Sequence, residues 1–336
     1  MDSKKIKCYY DHKNYKKLSE MLPLSTPLSI YIDPSNVCNF KCIFCPTGDK
    51  ELLRSINRPE GIMDVKLLEK IIDDIKEFDE KVEKLIFYKD GEPLINKNLS
   101  RMIGYAFESD IAKSIELTTN GALLNRDRAI EIIESGLDKI RISVEHVNDA
   151  GYKYITKTNI KYDVIRKNVE VLYDERNRRK SKLHIHSKIV DANLSDEDKE
   201  KFINDFSKIS DTVFINDLMG WSYSEVKDFT LGDSREGGNR SICPIAFYSM
   251  SINFNGLVSV CCSDWSMGTI IGDLKKEKLK DIWNGKRMME FRTNQLKGKR
   301  SIMGSCKNCD YMQILSNKSN IDAYANIILE KYKDVI

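Results

Sequence analysis

Three cysteines fall within eight residues, in the run Val37-Cys38-Asn39-Phe40-Lys41-Cys42-Ile43-Phe44-Cys45-Pro46, and no other feature constrains this chain so far. Thiolates at this spacing can hold three corners of a [4Fe–4S] cube, a group ordinarily held by four cysteines. The fourth iron is then open to a small molecule. A zinc site is the alternative, but zinc wants four ligands, usually in two pairs. No fourth Cys or His lies beside these three, the nearest histidines being His12 and His146.

A chain of 336 residues can bury a full core and hold one large domain plus a smaller one. No apolar run approaches ~18 residues, and the lysine-rich N-terminal segment lacks a secretory h-region. The expectation is a cytoplasmic protein with no membrane partner. There, the nine cysteines are metal ligands or reactive thiols rather than disulfides. A net charge of +3 on a chain that is 31% charged argues against nucleic acid as a partner. The densest basic run, Arg176 to Lys182, reads as a solvated loop before a strand.

From residue 28 to about 217, short apolar runs alternate with amphipathic ones. Leu28 to Asp33, Glu83 to Tyr88, Ser114 to Thr118, Lys139 to Val144, Leu183 to Val190 and Thr212 to Asn216 read as buried parallel strands. Asp64 to Phe78, Leu99 to Glu108, Arg126 to Ser135, Tyr162 to Arg176 and Ser195 to Lys208 carry helical periodicity. Asp64 and Ser195 suit N-caps and Gly136 suits a helix stop. Six β/α units imply an α/β fold with right-handed crossovers. Six are too few to close an eight-stranded barrel, so a partial (β/α)6 barrel is expected. Sites on such sheets lie at strand C-termini, and the cysteine run directly follows the first strand.

Residues 218–242 break the pattern, with Trp221, Gly232, Gly237 and Gly238 among polar residues, which suits a linker. Beyond it, Tyr248 to Phe254 and Leu257 to Cys261 flank Asn255-Gly256, a two-residue hairpin signal. Leu279 to Phe291 reads as a helix interrupted near Gly285. Cys306-Lys307-Asn308-Cys309 follows, then a helix near Asn320 to Tyr332. The expected organisation is an N-terminal extension (1–27), the barrel (28–217), a linker (218–242), a β-hairpin/helix domain (243–320) and a C-terminal helix (321–336).

The CxxxCxxC run, with Phe44 before its last Cys, resembles the signature of the radical S-adenosylmethionine (SAM) superfamily. Asp90-Gly91-Glu92-Pro93-Leu94 resembles that family's GGEP loop, with Asp90 in place of its first glycine. Thr118-Thr119-Asn120-Gly121 resembles its TTNG segment. Arg141-Ile142-Ser143-Val144-Glu145 resembles its fourth-strand segment, with Glu145 where Asp is more usual. The resemblance implies that Cys38, Cys42 and Cys45 hold a cluster whose open iron is chelated by the methionine amine and carboxylate of SAM. An electron from the cluster then cleaves SAM to a 5′-deoxyadenosyl radical. It also implies SAM contacts from Phe44 (adenine edge), Gly91, Glu92 and Pro93 (ammonium loop), Thr119 and Asn120, and Ser143 (carboxylate or ribose).

Cys243, Cys261, Cys262, Cys306 and Cys309 form a second group. A hairpin followed by a distant CxxC resembles the auxiliary-cluster module called twitch, a reduced form of SPASM. It implies a second [4Fe–4S] cluster, on Cys243, Cys261, Cys306 and Cys309. Four-cysteine zinc also fits the spacing. Cys261 and Cys262 compete for one ligand slot because adjacent strand side chains point oppositely. The unused neighbour, taken as Cys262, is either a small buried hydrophobe or a hydrogen-atom donor of the kind found in radical epimerases that resemble this chain.

His184 and His186 share one strand face and read as packed or solvated rather than as a metal pair. His146, at a strand C-terminus, is a candidate for proton transfer because imidazole titrates near neutrality. Together with Glu145 and Cys262 it completes the candidate catalytic set, while Lys188 and Asp191 are further candidates to face the cavity.

The expected function is a radical SAM oxidoreductase acting on a hydroxyl-bearing, carbohydrate-like small molecule. The auxiliary cluster would accept an electron during two-electron dehydrogenation, as in the aminocyclitol dehydrogenases this architecture resembles. The resemblance further implies reduced flavodoxin or ferredoxin as electron donor. The alternatives are epimerisation with a cysteine hydrogen donor, and modification of a ribosomal peptide. About 27 residues precede the first strand, few for a leader-peptide-binding domain. A non-enzyme reading, a cluster-binding sensor, needs no SAM pocket, so SAM cleavage separates it from the others.

Overall fold

The computed structural model describes residues 16–218, 240–307, 309 and 311–333. Its strands are β1 Ser29–Ile32, β2 Lys84–Phe87, β3 Ile115–Thr119, β4 Lys139–Val144, β5 His184–Asp191, β6 Thr212–Asp217, β7 Ser249–Ile252, β8 Leu257–Ser259 and β9 Ile270–Asp273. They form a single sheet in the order β6-β5-β4-β3-β2-β1-β7-β8-β9. β1 to β6 are mutually parallel, the barrel expected from the sequence. β7 also pairs parallel with β1, Tyr31 opposite Ser251, and β8 and β9 then extend the sheet antiparallel.

The crossovers carry helices. They are α2 Lys50–Ser55 and α3 Val65–Ile75 before β2, α4 Leu99–Glu108 before β3, and α5 Arg126–Glu134 before β4. α6 Asp149–Thr156 and α7 Tyr162–Arg178 precede β5, and α8 Asp196–Phe206 precedes β6. A short α1, Leu18–Met21, opens the described chain, and α9 Leu279–Asn284, α10 Lys286–Leu296 and α11 Ala325–Lys333 end it. The caps act as their residue types dictate. Asp64 accepts from the Lys66 N–H, Ser195 accepts from the Asp198 N–H, and Gly136 leaves α5 at φ +81°.

Strand alternation assigns the two faces. Ile30, Ile32, Leu85, Phe87, Leu117, Ile140, Ile142, Val144, Ile185 and Ile189 point outward into one core with Leu68, Ile71, Met102, Ile103, Ile132, Val169 and Phe202 of the helices. Each side chain so buried contributes about 1.5–3 kcal/mol. The opposite, inner face carries Tyr31, Lys84, Glu116, Arg141, Ser143, Glu145, His186 and Lys188, and is polar along its length.

The hairpin differs from the two-residue turn expected. The strands stop at Ile252 and resume at Leu257, and the Gly256 N–H donates to Asn253 O at 2.9 Å with Gly256 at φ +87°. A longer loop that closes on a glycine in the left-handed region needs that residue and not the Asn-Gly pair. α2, α6 and β9 were not anticipated. Most of the expected linker lies outside the described residues, and among the described residues no helix is long and apolar enough to cross a membrane.

Candidate active site

The cysteine run leaves β1 without regular structure, so its backbone groups must find partners elsewhere. The Lys41 N–H donates to Thr156 O at 2.9 Å and the Ile43 N–H to Ile155 O at 3.0 Å, laying the loop along the last turn of α6. The carbonyls there have no intrahelical partner. Cys45 N–H to Cys42 O and Gly48 N–H to Cys45 O, each 3.0 Å, then turn the chain back. A Cβ on Gly48 would lie 2.8 Å from the Lys41 carbonyl carbon, so the turn accepts no side chain.

Cys38, Cys42 and Cys45 emerge half-buried, with no disulfide. Burial raises all three thiols, Cys38 to about 12, and the neighbouring charges of Glu92, Glu145 and Asp90 push the same way. A cationic centre among them would reverse that balance, and soft sulfur ligands suit iron–sulfur iron. The donor set fits a [4Fe–4S] cluster.

The GEP loop is fastened to this run. The Glu92 N–H donates to Val37 O at 2.9 Å, and a Cβ on Gly91 would lie 2.2 Å from Ser35 O and 2.5 Å from Val37 O. Thr119 Oγ1 donates to Glu92 Oε1 at 2.6 Å and the Asn120 N–H to Oε2 at 2.8 Å. Leu94 N–H adds a third bond as Pro93 opens a 3₁₀ turn capped by Glu92. Asn120 Nδ2 reaches Asn39 Oδ1, between the first two cysteines, at 2.8 Å. Gly91, Glu92, Pro93, Thr119 and Asn120 thus share one rim with the cysteines. The Glu92 carboxylate is occupied in joining the ends of β2 and β3. Phe44 is half-buried beside Cys45.

Ser143 lies on the inner face of β4, in register with Lys188 of β5, and Glu145 follows the strand's last residue on the same side. Burial raises the Glu145 carboxyl while Lys188 lowers it; burial and Arg141 lower Lys188 while Glu145 raises it, so the two charges act on each other. Arg141 stands over the Tyr88 ring at 5.0 Å, and Tyr88 meets Tyr31 edge-on at 5.9 Å.

His146 is not part of this face. It follows Glu145 by one residue and so points outward. Its Nδ1 accepts the Val147 N–H at 2.9 Å, its ring lies against Gly151, and its Nε2 is 3.9 Å from Asp198 of α8. The proton-transfer role expected for His146 is therefore corrected to a packing one. Asp191 is likewise drawn away, pairing with Lys199 at 2.8 Å. His184 and His186 both meet Thr212 Oγ1, at 2.9 and 2.8 Å.

The second cysteine group is assembled from separate segments. Cys243 and Cys309 act on the Cys261 thiol, and the same two act on Cys306, which burial raises to about 12. Cys309 N–H donates to Cys306 O at 3.3 Å, closing the CxxC turn. Cys262 also acts on Cys243, and its thiol interacts with Cys261, Tyr31 and Tyr311, with Lys89 nearby, so both adjacent thiols lie close to the group. Gln295 is fully buried; its Oε1 accepts the Cys243 N–H at 3.2 Å, and its Nε2 has no partner among the described residues. An orphaned donor on the side chain that holds the Cys243 N–H fits an iron–sulfur group, whose sulfurs accept such bonds. Among the described residues no group of three His, Cys, Asp or Glu side chains is arranged to hold a single metal ion.

Sequence reasoning passed over Tyr31, Arg58, Lys89 and Gln295, and also Asp33, the buried residue just after β1 whose carboxyl burial and the neighbouring Asp90 raise to about 7. Counting alternate residues back from Asp33 along the first strand would have exposed Tyr31. Arg58 and Gln295 act across long sequence separations and leave no local signal.

Residues 32–197 match the profile of the radical SAM superfamily, and residues 243–310 match that of SPASM, an iron-sulfur cluster-binding domain. The chain is 22% identical over 285 residues to the S-adenosyl-L-methionine-dependent 2-deoxy-scyllo-inosamine dehydrogenase of Niallia circulans, covering 85% of this chain and 93% of that one. It is 32% identical over 120 residues to a probable GTP 3',8-cyclase of Methanococcus maripaludis, spanning 35% of this chain but only 37% of the cyclase. BtrN in complex with AdoMet and 2-DOIA superposes with a TM-score of 0.54 at 20% identity, over 84% of this chain and 92% of that one. Streptococcus suis SuiB bound to S-adenosylmethionine gives 0.62 at 16%, over 94% and 77%. At these identities the structural likeness bears on the fold alone. Matching profiles, barrel and strand-end motifs agree: the chain belongs to the radical SAM superfamily and carries a SPASM iron–sulfur cluster-binding domain.

Proposed function

We propose that this enzyme is an oxidoreductase that dehydrogenates a hydroxyl-bearing, carbohydrate-like small molecule. The observation that carries the reading is the inner face of the barrel, where Glu116, Arg141, Ser143, Glu145 and Lys188 present donors and acceptors on neighbouring strands. A polyol is recognised by such groups, whereas a flat apolar substrate would leave them unpaired. The dehydrogenase relative, named for 2-deoxy-scyllo-inosamine and covered over 93% of its length, supports the reaction class.

When bound, the cluster and SAM supply a carbon radical able to take hydrogen from an unactivated C–H. Cys38, Cys42 and Cys45 would hold that cluster, with Phe44, Gly91, Glu92, Pro93, Thr119, Asn120 and Ser143 around SAM. Cys243, Cys261, Cys306 and Cys309 would hold a second [4Fe–4S] group able to accept an electron. Oxidising an alcohol carbon to a carbonyl also releases the hydroxyl proton. Glu145 is the acceptor we assign: burial raises its carboxyl toward neutrality, where a base both stays ionised and takes a proton readily. Lys188, whose ammonium is lowered by burial, orients the same hydroxyl. Reduced flavodoxin or ferredoxin would supply the first electron in a cytoplasmic setting.

The test is anaerobic 5′-deoxyadenosine formation by reconstituted, reduced enzyme, given either the low-mass filtrate or the high-mass retentate of a source-cell extract. A burst with filtrate alone is expected. A burst with retentate alone would move the reading to peptide modification, and no cleavage in any arm would remove it. One observation favours epimerisation as a second reading: the Cys262 thiol meets Tyr31 on the barrel side. Solvent deuterium appearing on a product carbon would select it.

A further inference from the structure

Two buried cations connect the first cysteine loop to the loop that follows Cys262. Arg58 Nη2 donates to Asp90 Oδ2 at 2.7 Å, and its Nε donates to Trp265 O. Lys89 Nζ donates to the same Asp90 oxygen and to Asp264 O at 2.8 Å. The side chains of Arg58, Lys89 and Asp90 are all fully buried.

The loop they hold is rigid in itself. Asp264 Oδ1 accepts from Ser266 Oγ and the Gly268 N–H, and Oδ2 accepts from the Thr269 N–H and Oγ1, both at 2.7 Å. The Trp265 ring packs with Leu52 and Leu53 of α2, a cluster separate from the main core. On the other side, Thr47 Oγ1, two residues past Cys45, donates to Asp90 O at 2.7 Å. An unbroken line of contacts therefore runs from Cys45 through Thr47, Asp90 and Lys89 to Asp264, two residues past Cys262. Both cations have Asp90 as counter-charge, with the buried Asp33 carboxyl beside it, and removing one member of such a set leaves an uncompensated buried charge. The glycine that the family places at Asp90 could not supply the shared carboxylate.

We infer that Arg58, Lys89 and Asp90 are positioning residues, a buried clamp that fixes the Cys261–Thr269 loop, and with it both adjacent thiols, over the first cysteine loop. The inference rests on the reading that the two cysteine groups each hold a cluster.

The test uses the full-length reconstituted protein as Lys89→Met and Asp90→Asn, the second milder in case the first misfolds. Lys89→Arg serves as conservative rescue. Lys280→Ala serves as control, because Lys280 of α9 pairs at the surface with Asp79, before β2, and so joins the C-terminal region to the barrel without touching either loop. Amide hydrogen exchange is followed over residues 259–269, and spin–spin coupling between the two reduced clusters is followed by EPR. Exchange should quicken about tenfold or more in the first two variants, and the coupling should change. Lys89→Arg should restore both, and Lys280→Ala should alter neither. Unchanged exchange in Lys89→Met and Asp90→Asn, or no rescue by Lys89→Arg, overturns the clamp. Iron analysis separates the two readings: a wild-type protein with iron for one cluster refutes the second cluster, and exchange alone then decides the clamp.

Discussion

The two cysteine groups reach the same kind of donor set by opposite routes. Cys38, Cys42 and Cys45 are gathered by eight residues of chain, and the fold needs only to hold that loop down, through α6, Gly48 and Gly91. Cys243, Cys261, Cys306 and Cys309 come from three distant segments, so any approach among them depends on tertiary packing rather than on local sequence. Their electrostatic settings differ as well. Glu92, Glu145 and Asp90 surround the first group, whereas Arg300, Arg240 and Lys89 act on the second, with Asp264 opposing them. Negative surroundings disfavour adding an electron to a cluster and positive surroundings favour it. On the proposed reading, this contrast suits a first site that gives an electron and a second that receives one.

That contrast can be broken most directly at the first loop. Cys38→Ala should reduce 5′-deoxyadenosine formation to background while the auxiliary iron remains, measured by chromatography and iron analysis. Cys261→Ala should remove about half of the bound iron if each group holds one four-iron cube, whereas Cys262→Ala should leave iron unchanged. Equal loss in both variants would merge the roles of the two thiols.

Arg292 tests the dependence of the second group on remote packing. It is 2% exposed, donates from Nε to Ala246 O at 2.9 Å and from Nη1 to Trp283 O at 3.2 Å, and covers the Trp283 ring at 4.0 Å. Arg292→Met should cost about 2–4 kcal/mol in denaturant unfolding, since two buried carbonyls lose their partner. Auxiliary iron should fall before iron at the first loop does. Arg300→Gln should have a smaller effect, lowering the midpoint potential of the auxiliary centre toward that of the first in an anaerobic redox titration.

The smallest effect expected is a pH dependence from the barrel floor. Burial lowers His186 from 6.5 to about 3, so the native ring stays neutral where the unfolded one protonates. Stability should be complete above pH 6.5 and decline by up to about 1.4 kcal/mol per unit as pH falls toward 3. His186→Gln should flatten that slope in thermal melts taken between pH 4 and 7.

The sequence carried whatever is local. β4 and α4 begin and end where their patterns do, at Lys139–Val144 and Leu99–Glu108. Asp64, Ser195 and Gly136 act as their chemistry requires. The thiols and strand-end motifs were legible because each is a short run with its own chemistry. α2 was not, because six residues capped by Asp49 are held partly by Trp265, far along the chain. β9 was not, because its four residues include a glycine and pair with β8 across a register shift. The direction of His146 was within reach: alternation from Lys139 places residue 145 inward and its successor outward. The Asp90 substitution was visible as a departure, but its meaning lay in Arg58, 32 positions away.

The parallel pairing of β7 with β1 has a consequence for the protein's handling. β1 is the first strand of the barrel, yet one of its two hydrogen-bonding sides is closed only by residues 249–252. A chain ended after β6 would expose Ser29–Ile32, with the fully buried Ile30 and Ile32 on its outer face, as a raw edge open to another copy. Such a fragment should aggregate, and adding back residues 240–336 as a separate polypeptide should rescue it by supplying the missing neighbour.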